Sequence, residues 1–236
     1  MKRLTAVLAG AVLIATLGSG LALAQSSGNF STAYFPDACA INNSNGTITF
    51  TGGVCTNGAT NSTCKVLDAA IKTSSGSGVT LLITPSAVTG LYTDTKVSNT
   101  VTTSTAEIGI QVCVQVDGSA ANVVGGDANG CAIYDERLQQ VSQNFLAGVA
   151  AVAACSSTAG AIDNTCFLDF ITSTLSAHSY NFIAQVPGGQ HEVTASWSIV
   201  NVSTNNGATV GACLGPGNVT LTQTKVFNNS GSIVSE

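Results

Sequence analysis

The chain has 236 residues, of which only 8% are charged, and its formal net charge is −5. Because it is acidic and shows no basic cluster, it has nothing that would neutralise nucleic-acid phosphates or an anionic membrane surface. The 44% apolar fraction excludes a disordered chain and indicates a core beneath a surface of Ser, Thr, Asn, Gln and Gly.

The first predicted element is a secretory signal peptide at residues 1–24. Lys2 and Arg3 precede an uncharged apolar run, and Ala22-Leu23-Ala24 forms a small-x-small cleavage site. No later apolar run is long enough to span a bilayer. We therefore expect a protein that is secreted, extracellular or held at the cell surface, with the periplasm as the alternative.

Two further segments follow the leader. Residues 25–45 are polar and rich in turn formers, which predicts an extended N-terminal arm. Residues 46–236 contain no linker and no internal repeat, so we expect a single β-sandwich domain there.

All eight cysteines follow the leader, and an even number in an exported chain predicts disulfide bonds. The absence of any CxxC argues against a metal site. The simplest choice is to pair cysteines that are neighbours in the sequence. This leaves the first and the last cysteine to pair with each other and join the ends of the domain. The expected pairs are Cys55–Cys64, Cys113–Cys131, Cys155–Cys166 and Cys39–Cys213.

Two segments alternate apolar and polar residues without a break, Ala106–Asp117 and Glu192–Val200. A period of two predicts a strand with one face in the core, and the phase of the second segment places Trp197 in the core. Cys113 and Cys213 fall on the polar phase of their strands, so their bridges are expected to brace the outside. Weaker strand candidates, separated by Gly, Asn and Ser turns, are Thr47–Phe50, Lys65–Ile71, Val79–Thr84, Thr95–Thr103, Ser179–Ala184, Ala208–Leu214 and Asn218–Phe227.

Many short strands of this kind predict an all-β fold, an antiparallel two-sheet sandwich of jelly-roll type. Two stretches depart from the β pattern and predict one or two short helical insertions. From Asp135, a candidate N-cap, apolar residues follow at three-to-four spacing as far as Val152, although the first half could equally continue as a strand. Phe167, Phe170 and Leu175 predict a shorter helical turn.

The stretch from Pro187 to Trp197, together with Val116-Asp117-Gly118 and a last strand after the turn at Gly215, resembles a known group of domains. These are the jelly-roll heads of the C1q and tumour-necrosis-factor type and the tips of phage tail fibres. With Lys65–Thr95 included, the chain also resembles uncharacterised exported bacterial β-sandwich proteins. The resemblance covers about residues 65–227. It implies a two-sheet sandwich that often trimerises and binds through its surface.

The chain has two histidines, His178 and His191. If a hairpin forms at Pro187–Gln190, they lie roughly 26 Å apart along the strand, at about 3.3 Å per residue. We expect ordinary hydrogen bonds for both and no shared metal or triad. The sequence shows no nucleophile elbow, zinc-protease helix, P-loop or dinucleotide fingerprint, so no catalytic residue is predicted.

Four oxygen-bearing side chains lie in or beside a Gly-rich loop that a Cys113–Cys131 bridge would close. They are Asp117, Asp127, Asn129 and Asp135. Such loops suit calcium, the one cofactor considered, but Asp-Gly pairs also simply make turns. As a glycosidase pair, two of the carboxylates would have to face each other across a cleft.

Exposed aromatic side chains would indicate a glycan-binding surface. Tyr34, Phe35 and Tyr92 lie near predicted turns and are the candidate platforms.

Taken together, these features predict an exported, non-enzymatic structural or adhesive protein that acts by surface interaction or self-association, as a homo-oligomer or filament. In a fibre, the N-terminal arm would add a strand to a neighbour's sheet. The alternative hypotheses are a carbohydrate-binding module and, with less support, a hydrolase.

Overall fold

The computed structural model describes residues 29–44, 47–51, 53, 63–75, 78–98, 100–145 and 167–224. The predicted signal peptide lies outside these residues, as do Cys55, Cys155 and Cys166. The described chain is almost entirely antiparallel β-strand, which confirms the predicted all-β sandwich.

Twelve strands lie within the described residues. They are β1 (Phe30–Phe35), β2 (Ala40–Ser44), β3 (Thr47–Thr51), β4 (Thr63–Lys72), β5 (Val79–Ser98), β6 (Thr103–Val116), β7 (Val123–Val124), β8 (Cys131–Ser142), β9 (Phe167–Ser179), β10 (Phe182–Val186), β11 (Gln190–Thr204) and β12 (Thr209–Thr224).

Most strands form two packed sheets. The first sheet runs β1-β12-β5, with β9 and β10 sharing the far side of β5 and β7 beyond β10; the second runs β4-β11-β6-β8. If β9 and β10 are counted as one position and β2, β3 and β7 are left out, the orders are 1-8-3-6 and 2-7-4-5. This is the strand order of an eight-stranded jelly roll.

β5 changes partner at Pro85. Its residues 79–83 pair with β10, and residues 86–98 pair with β9. Proline has no N–H to donate to a ladder, so β5 changes partner at a residue that could not make this backbone hydrogen bond with either strand. The Pro85 carbonyl instead accepts the N–H of Tyr180 at 3.2 Å.

The main core lies between β5 and β12 on one side and β6 and β11 on the other. The alternating apolar residues of β6 and β11 point into it, because successive strand residues face opposite sides. Trp197 is fully buried, as predicted, and meets the Phe35 ring edge-to-face at 5.8 Å between centroids.

β2 and β3 form a third, two-stranded layer over the outer face of the first sheet. Gly90 lies on that face, and a Cβ there would come within 2.8 Å of the sulfurs of both Cys39 and Cys213. The Cys39–Cys213 disulfide sits under this layer, and Cys213 is fully buried. Cys213 does occupy the outer phase of β12, but the expectation that its bridge braces an exposed surface is wrong, because β2 and β3 cover it.

The second described bridge joins Cys113 and Cys131, which are directly opposite on β6 and β8 with Cα atoms 3.9 Å apart. Both cysteines are half-buried. These two bridges are two of the four expected pairs. Cys64 is also disulfide-bonded.

The structure corrects three predicted elements. Residues 135–142 continue β8, so the predicted helix from Asp135 is wrong there, and only residues 143–145 are helical before the described chain breaks off. Phe167–Leu175 belongs to β9 and is not a helical turn. Within the segment expected to extend as an arm, β1 instead pairs along its whole length with β12 of the same chain.

Candidate functional site

Among the described residues, β9 presents an unusual surface. Within the described residues this strand pairs only with β5, so it forms an edge of the first sheet. Four of its apolar side chains are 40–53% exposed, and they are named here the β9 patch: Phe167, Phe170, Ile171 and Leu175. Asp169 is its only acidic or basic residue other than His178. A strand edge with apolar side chains and so little charge is a surface that soluble proteins normally cover.

Three members of the β9 patch share one face. Phe167, Ile171 and Leu175 lie opposite Ser98, Asp94 and Gly90, the outward residues of β5, so they point away from the sandwich. Phe170 has the inward phase, opposite the buried Thr95, yet it remains exposed near the open side of the sandwich. The patch thus presents apolar groups on both faces of an edge strand.

Behind the middle of β9 the sandwich interior is polar, whereas Leu168 near the start of β9 packs on a small apolar cluster of Val97 and Val141. The inward residues of β8 lie opposite inward residues of β6 and include Asp135, Arg137 and Gln139. Asp135 and Gln139 meet Thr89, Thr93 and Thr95 of β5, which are fully buried, and Arg137 donates to Thr174 of β9. We call Thr89, Thr93, Thr95, Asp135 and Gln139 the polar layer.

Hydrogen bonds satisfy this layer. Thr89 donates to Asp135 at 2.5 Å, and Thr93 donates to the Gln139 carbonyl oxygen at 2.7 Å. The Gln139 amide nitrogen donates to the Thr95 hydroxyl at 2.6 Å and to the Phe170 carbonyl at 2.5 Å. The side chain of Gln139 therefore ties β8 to both β5 and β9.

Ser176, His178 and Asp135 come together at this edge, which the sequence did not anticipate. The Ser176 hydroxyl lies 2.6 Å from Nε2 of His178, and an Asp135 carboxylate oxygen lies 3.4 Å from the same Nε2. A serine-hydrolase triad needs the serine on one ring nitrogen and the carboxylate on the other. Because both partners use Nε2, this cluster lacks the relay geometry of a triad.

The ring of His178 also packs against Tyr134, with centroids 5.7 Å apart. The Tyr134 hydroxyl accepts the N–H of Ala87 at 2.6 Å and donates to the carbonyl of His178. Burial raises the pKa of Tyr134, so its hydroxyl stays protonated as a donor. These bonds hold the end of β9 against β8 and β5.

His191 lies at the start of β11, in the other sheet. The hairpin considered at Pro187–Gln190 does not form, because β10 pairs with β5 and β7 whereas β11 pairs with β4 and β6, so these residues connect the two sheets. His191 is 5% exposed; Nδ1 donates to Asp117 at 2.8 Å, and Nε2 donates to the Pro187 carbonyl at 2.9 Å. The hydrogen bond to Asp117 raises the pKa of His191, and the same bond lowers the pKa of Asp117. Two acceptors on one ring favour the imidazolium form, which makes this pair a structural clamp on the turn.

The predicted calcium residues do not converge on one point. Asp117 binds His191, and Asp135 belongs to the polar layer. Asp127 accepts the N–H groups of Asn129 and Cys131 at 2.8 and 2.9 Å, so its carboxylate closes its own turn. Among the described residues, no cluster of His, Cys, Asp or Glu could hold a metal ion.

The three predicted aromatic platforms have different environments. Tyr34 is 74% exposed, whereas Phe35, the next residue on β1, is 2% exposed and packs on Trp197. Phe35 therefore cannot serve as a platform, because adjacent strand residues point to opposite faces. Tyr92 is half-buried against Phe50, with ring centroids 6.3 Å apart.

Sequence comparisons assign the chain to no group. No protein-family model matches it, and no curated protein is significantly similar to it. Within the described part of the chain, no helix is long and apolar enough to cross a membrane. The disulfides are consistent with an extracellular or otherwise oxidising compartment.

Sequence reasoning missed the β9 patch because its apolar residues stand three and four apart, the spacing of a helix. Its run of Thr, Ser and Ile at residues 171–176 was the available signal, since β-branched residues are enriched in strands. An edge strand that exposes apolar groups on both faces shows no alternation, so periodicity alone could not find it.

Proposed function

We propose that this protein is an exported structural or adhesive subunit that acts by surface interaction, and that copies of it associate through the β9 patch. The observation that carries the proposal is the exposure of four large apolar side chains on one edge strand. Covering them removes apolar surface from water, which is favourable at about 25 cal/mol per Å².

A second copy is the partner that fits this edge. β9 has one free edge within the described residues, and two antiparallel copies of one strand are self-complementary about a twofold axis. The only acidic side chain on β9, Asp169, already lies 3.9 Å from the ammonium of Lys96. Two such edges therefore meet without a repelling pair of unpaired charges.

The N-terminal segment is a weaker candidate for the link between subunits. β1 pairs with β12 of its own chain, and the Cys39–Cys213 bridge anchors the chain four residues after β1 ends. In the oxidised protein Cys39 is fixed to Cys213, so β1 could pair with a neighbouring subunit only as far as the short segment before Cys39 extends. The proposal therefore assigns association to β9 and not to an arm.

The jelly-roll strand order agrees with the proposal, because the predicted resemblance is to head domains that often assemble. The geometry of Ser176, His178 and Asp135 gives no support to the alternative of a hydrolase. Export itself is supported by the disulfides and by the predicted leader.

Size-exclusion chromatography with light scattering tests the proposal on the mature, oxidised chain. We expect the wild-type protein to form a defined oligomer and the double variant Ile171→Lys/Leu175→Lys to be monomeric, since charge on an edge blocks pairing. The matched control is Leu138→Lys on the outer face of β8, where the side chain is 64% exposed.

The control should keep the wild-type mass. A wild-type protein that is monomeric over the whole accessible concentration range contradicts the proposal. So does an Ile171→Lys/Leu175→Lys variant that is folded by circular dichroism and still assembles like the wild type.

A further inference from the structure

A second surface, which shares no residue with the β9 patch, begins at the opposite edge of the first sheet and extends to the end of β9. Phe30, Thr32 and Tyr34 all point outward from β1, and Phe30 and Tyr34 are 64% and 74% exposed. Four residues along a strand place the two rings about 13 Å apart on one face, at about 3.3 Å per residue. The exposed face of β1 thus carries two aromatic rings with a hydroxyl between them.

The strands beside β1 continue this face with uncharged polar groups. Tyr34 lies opposite Asn218, which lies opposite Ser86; Thr32 lies opposite Thr220, which lies opposite Thr84. Directly opposite residues of antiparallel strands share a face, so these form two rows across three strands. β1, β12 and the part of β5 from residue 79 to 93 contain no Asp, Glu, Lys or Arg. We call the outward surface of these strands, outside the region covered by β2 and β3, the neutral face.

Tyr34 also forms one wall of a groove on this face. The groove has a volume of about 360 Å³; Ser86, Pro216 and Asn218 are among its lining residues, and Ala177 and His178 at the end of β9 close its far side. Within the described part of the chain, the side chains of Ser86 and Asn218 make no hydrogen bond, so their donors and acceptors are available to a ligand. No Asp, Glu, Lys or Arg lines the groove.

This combination selects a chemical class of ligand. An aromatic ring has a negative face that attracts the weakly positive C–H groups of a pyranose ring, and hydroxyl and amide side chains match sugar hydroxyls. No Lys or Arg is present to hold a phosphate, a sulfate or an acidic protein partner, and Nε2 of His178 is already hydrogen-bonded to Ser176. The negative net charge of the chain further disfavours an acidic polysaccharide.

From these observations we infer that the neutral face is a binding surface for an extended, uncharged polysaccharide chain, with Tyr34 and Phe30 as two stacking platforms. The spacing of the rings favours a chain of several sugar units over a single sugar. Asn218 and Ser86, beside Tyr34, bind the hydroxyl groups of the sugar that stacks there. The surface would let an assembled subunit adhere to a glycan-covered substrate.

Retention on insoluble cellulose, chitin and mannan measures this binding, with alginate beads as the anionic comparison. We expect the mature wild-type protein to be retained on at least one neutral polysaccharide and not on alginate. Tyr34→Ala and Phe30→Ala should each weaken retention about tenfold, the loss expected for one ring contact of roughly 1.4 kcal/mol. The control is Phe145→Ala, which removes a ring that is 53% exposed in the short helical stretch after β8, and it should bind like the wild type.

Light scattering of the Phe30→Ala/Tyr34→Ala variant separates this inference from the association through β9, because the oligomer should be unchanged. Failure of the wild-type protein to bind any of the three neutral polysaccharides overturns the inference. Binding that is equally strong on alginate, or that survives the loss of both rings, also overturns it.

Discussion

The two ends of the sandwich interior are held together by different forces. Where β5 faces β6 and β11, the side chains are aliphatic or aromatic and form one continuous core. Where β5 faces β8, most of the contact is made by the polar layer of threonine hydroxyls, a carboxylate and an amide, with a small apolar cluster of Val97 and Val141 beside it. Apolar packing is strong but has little directionality, whereas each hydrogen bond fixes a distance and an angle.

The difference explains how β9 keeps its position. An edge strand that exposes most of its apolar groups gains little from burial, so its register must come from elsewhere. Gln139, which bonds to β5 and β9 together, supplies part of that register, and Tyr134 supplies another part. The apolar end therefore provides most of the stability, and the polar end positions the surface that we propose for assembly.

The largest expected effect comes from the apolar end. Trp197→Ala should lower the free energy of unfolding by about 3–5 kcal/mol, because it leaves a cavity beside Phe35 in the centre of the core. Urea unfolding of the oxidised protein measures the loss. Ser196→Ala, on the outward phase of the same strand, is the control and should change stability by less than about 0.5 kcal/mol. A Trp197→Ala variant as stable as this control would contradict the conclusion that the apolar end of the interior provides most of the stability.

A smaller effect is expected in the polar layer. Gln139→Ala leaves the fully buried hydroxyls of Thr93 and Thr95 without this partner, at a cost of about 1–3 kcal/mol. The side chain of the neighbouring exposed Gln140 makes no hydrogen bond within the described residues, so Gln140→Ala is the matched control. Hydrogen exchange should also show faster exchange along β9 in Gln139→Ala only. If β9 exchanges at the same rate in both variants, the polar layer does not position it.

The smallest expected effect is the pH dependence of the clamp between His191 and Asp117. The folded pKa of His191 is raised above its ordinary value of 6.5, so its contribution is complete below pH 6.5 and is lost as pH rises through the folded pKa. The folded pKa of Asp117 is lowered from 3.8, so its contribution is present above pH 3.8 and is lost as pH falls through that lowered value.

Half of the Asp117 side chain is exposed, so the pair should contribute at most about 1 kcal/mol. Unfolding curves of the wild type and of Asp117→Asn, recorded from pH 4 to pH 9, measure it. The stability difference between them should be greatest between pH 4 and pH 6.5 and should shrink at higher pH. A stability difference that grows with pH would contradict the predicted direction of the pH dependence.

The sequence correctly predicted the strands that have one solvent-exposed face and one buried face. β6 and β11 are strands of this kind, and their alternation correctly predicted that Trp197 is buried and that the fold is a sandwich. β8 turns Asp135, Arg137 and Gln139 inward, so its apolar residues no longer alternate and a helix was predicted instead. The same reasoning failed for β9, whose apolar residues stay outside.

The sequence also did not predict that β2 and β3 cover part of the first sheet. The phase of Cys213 was correct, but the packing of β2 and β3 over it depends on a close approach at Gly90, which is a tertiary feature. Similarly, the proximity of Ser176, His178 and Asp135 depends on how the edges of two sheets meet. Local patterns carry no information on such distances.

The neighbouring positions of β1 and β12 have a mechanical consequence. Asn29 and Gln223 are hydrogen-bonded to each other, through the Gln223 N–H at 2.9 Å and the Asn29 side chain at 2.7 Å. Tension applied at these two points would load the antiparallel ladder between β1 and β12 one bond at a time, like the opening of a zipper. The opening must stop at the covalent bond between Cys39 and Cys213. A subunit pulled at Asn29 and Gln223 would therefore lengthen by a short, fixed amount and then hold.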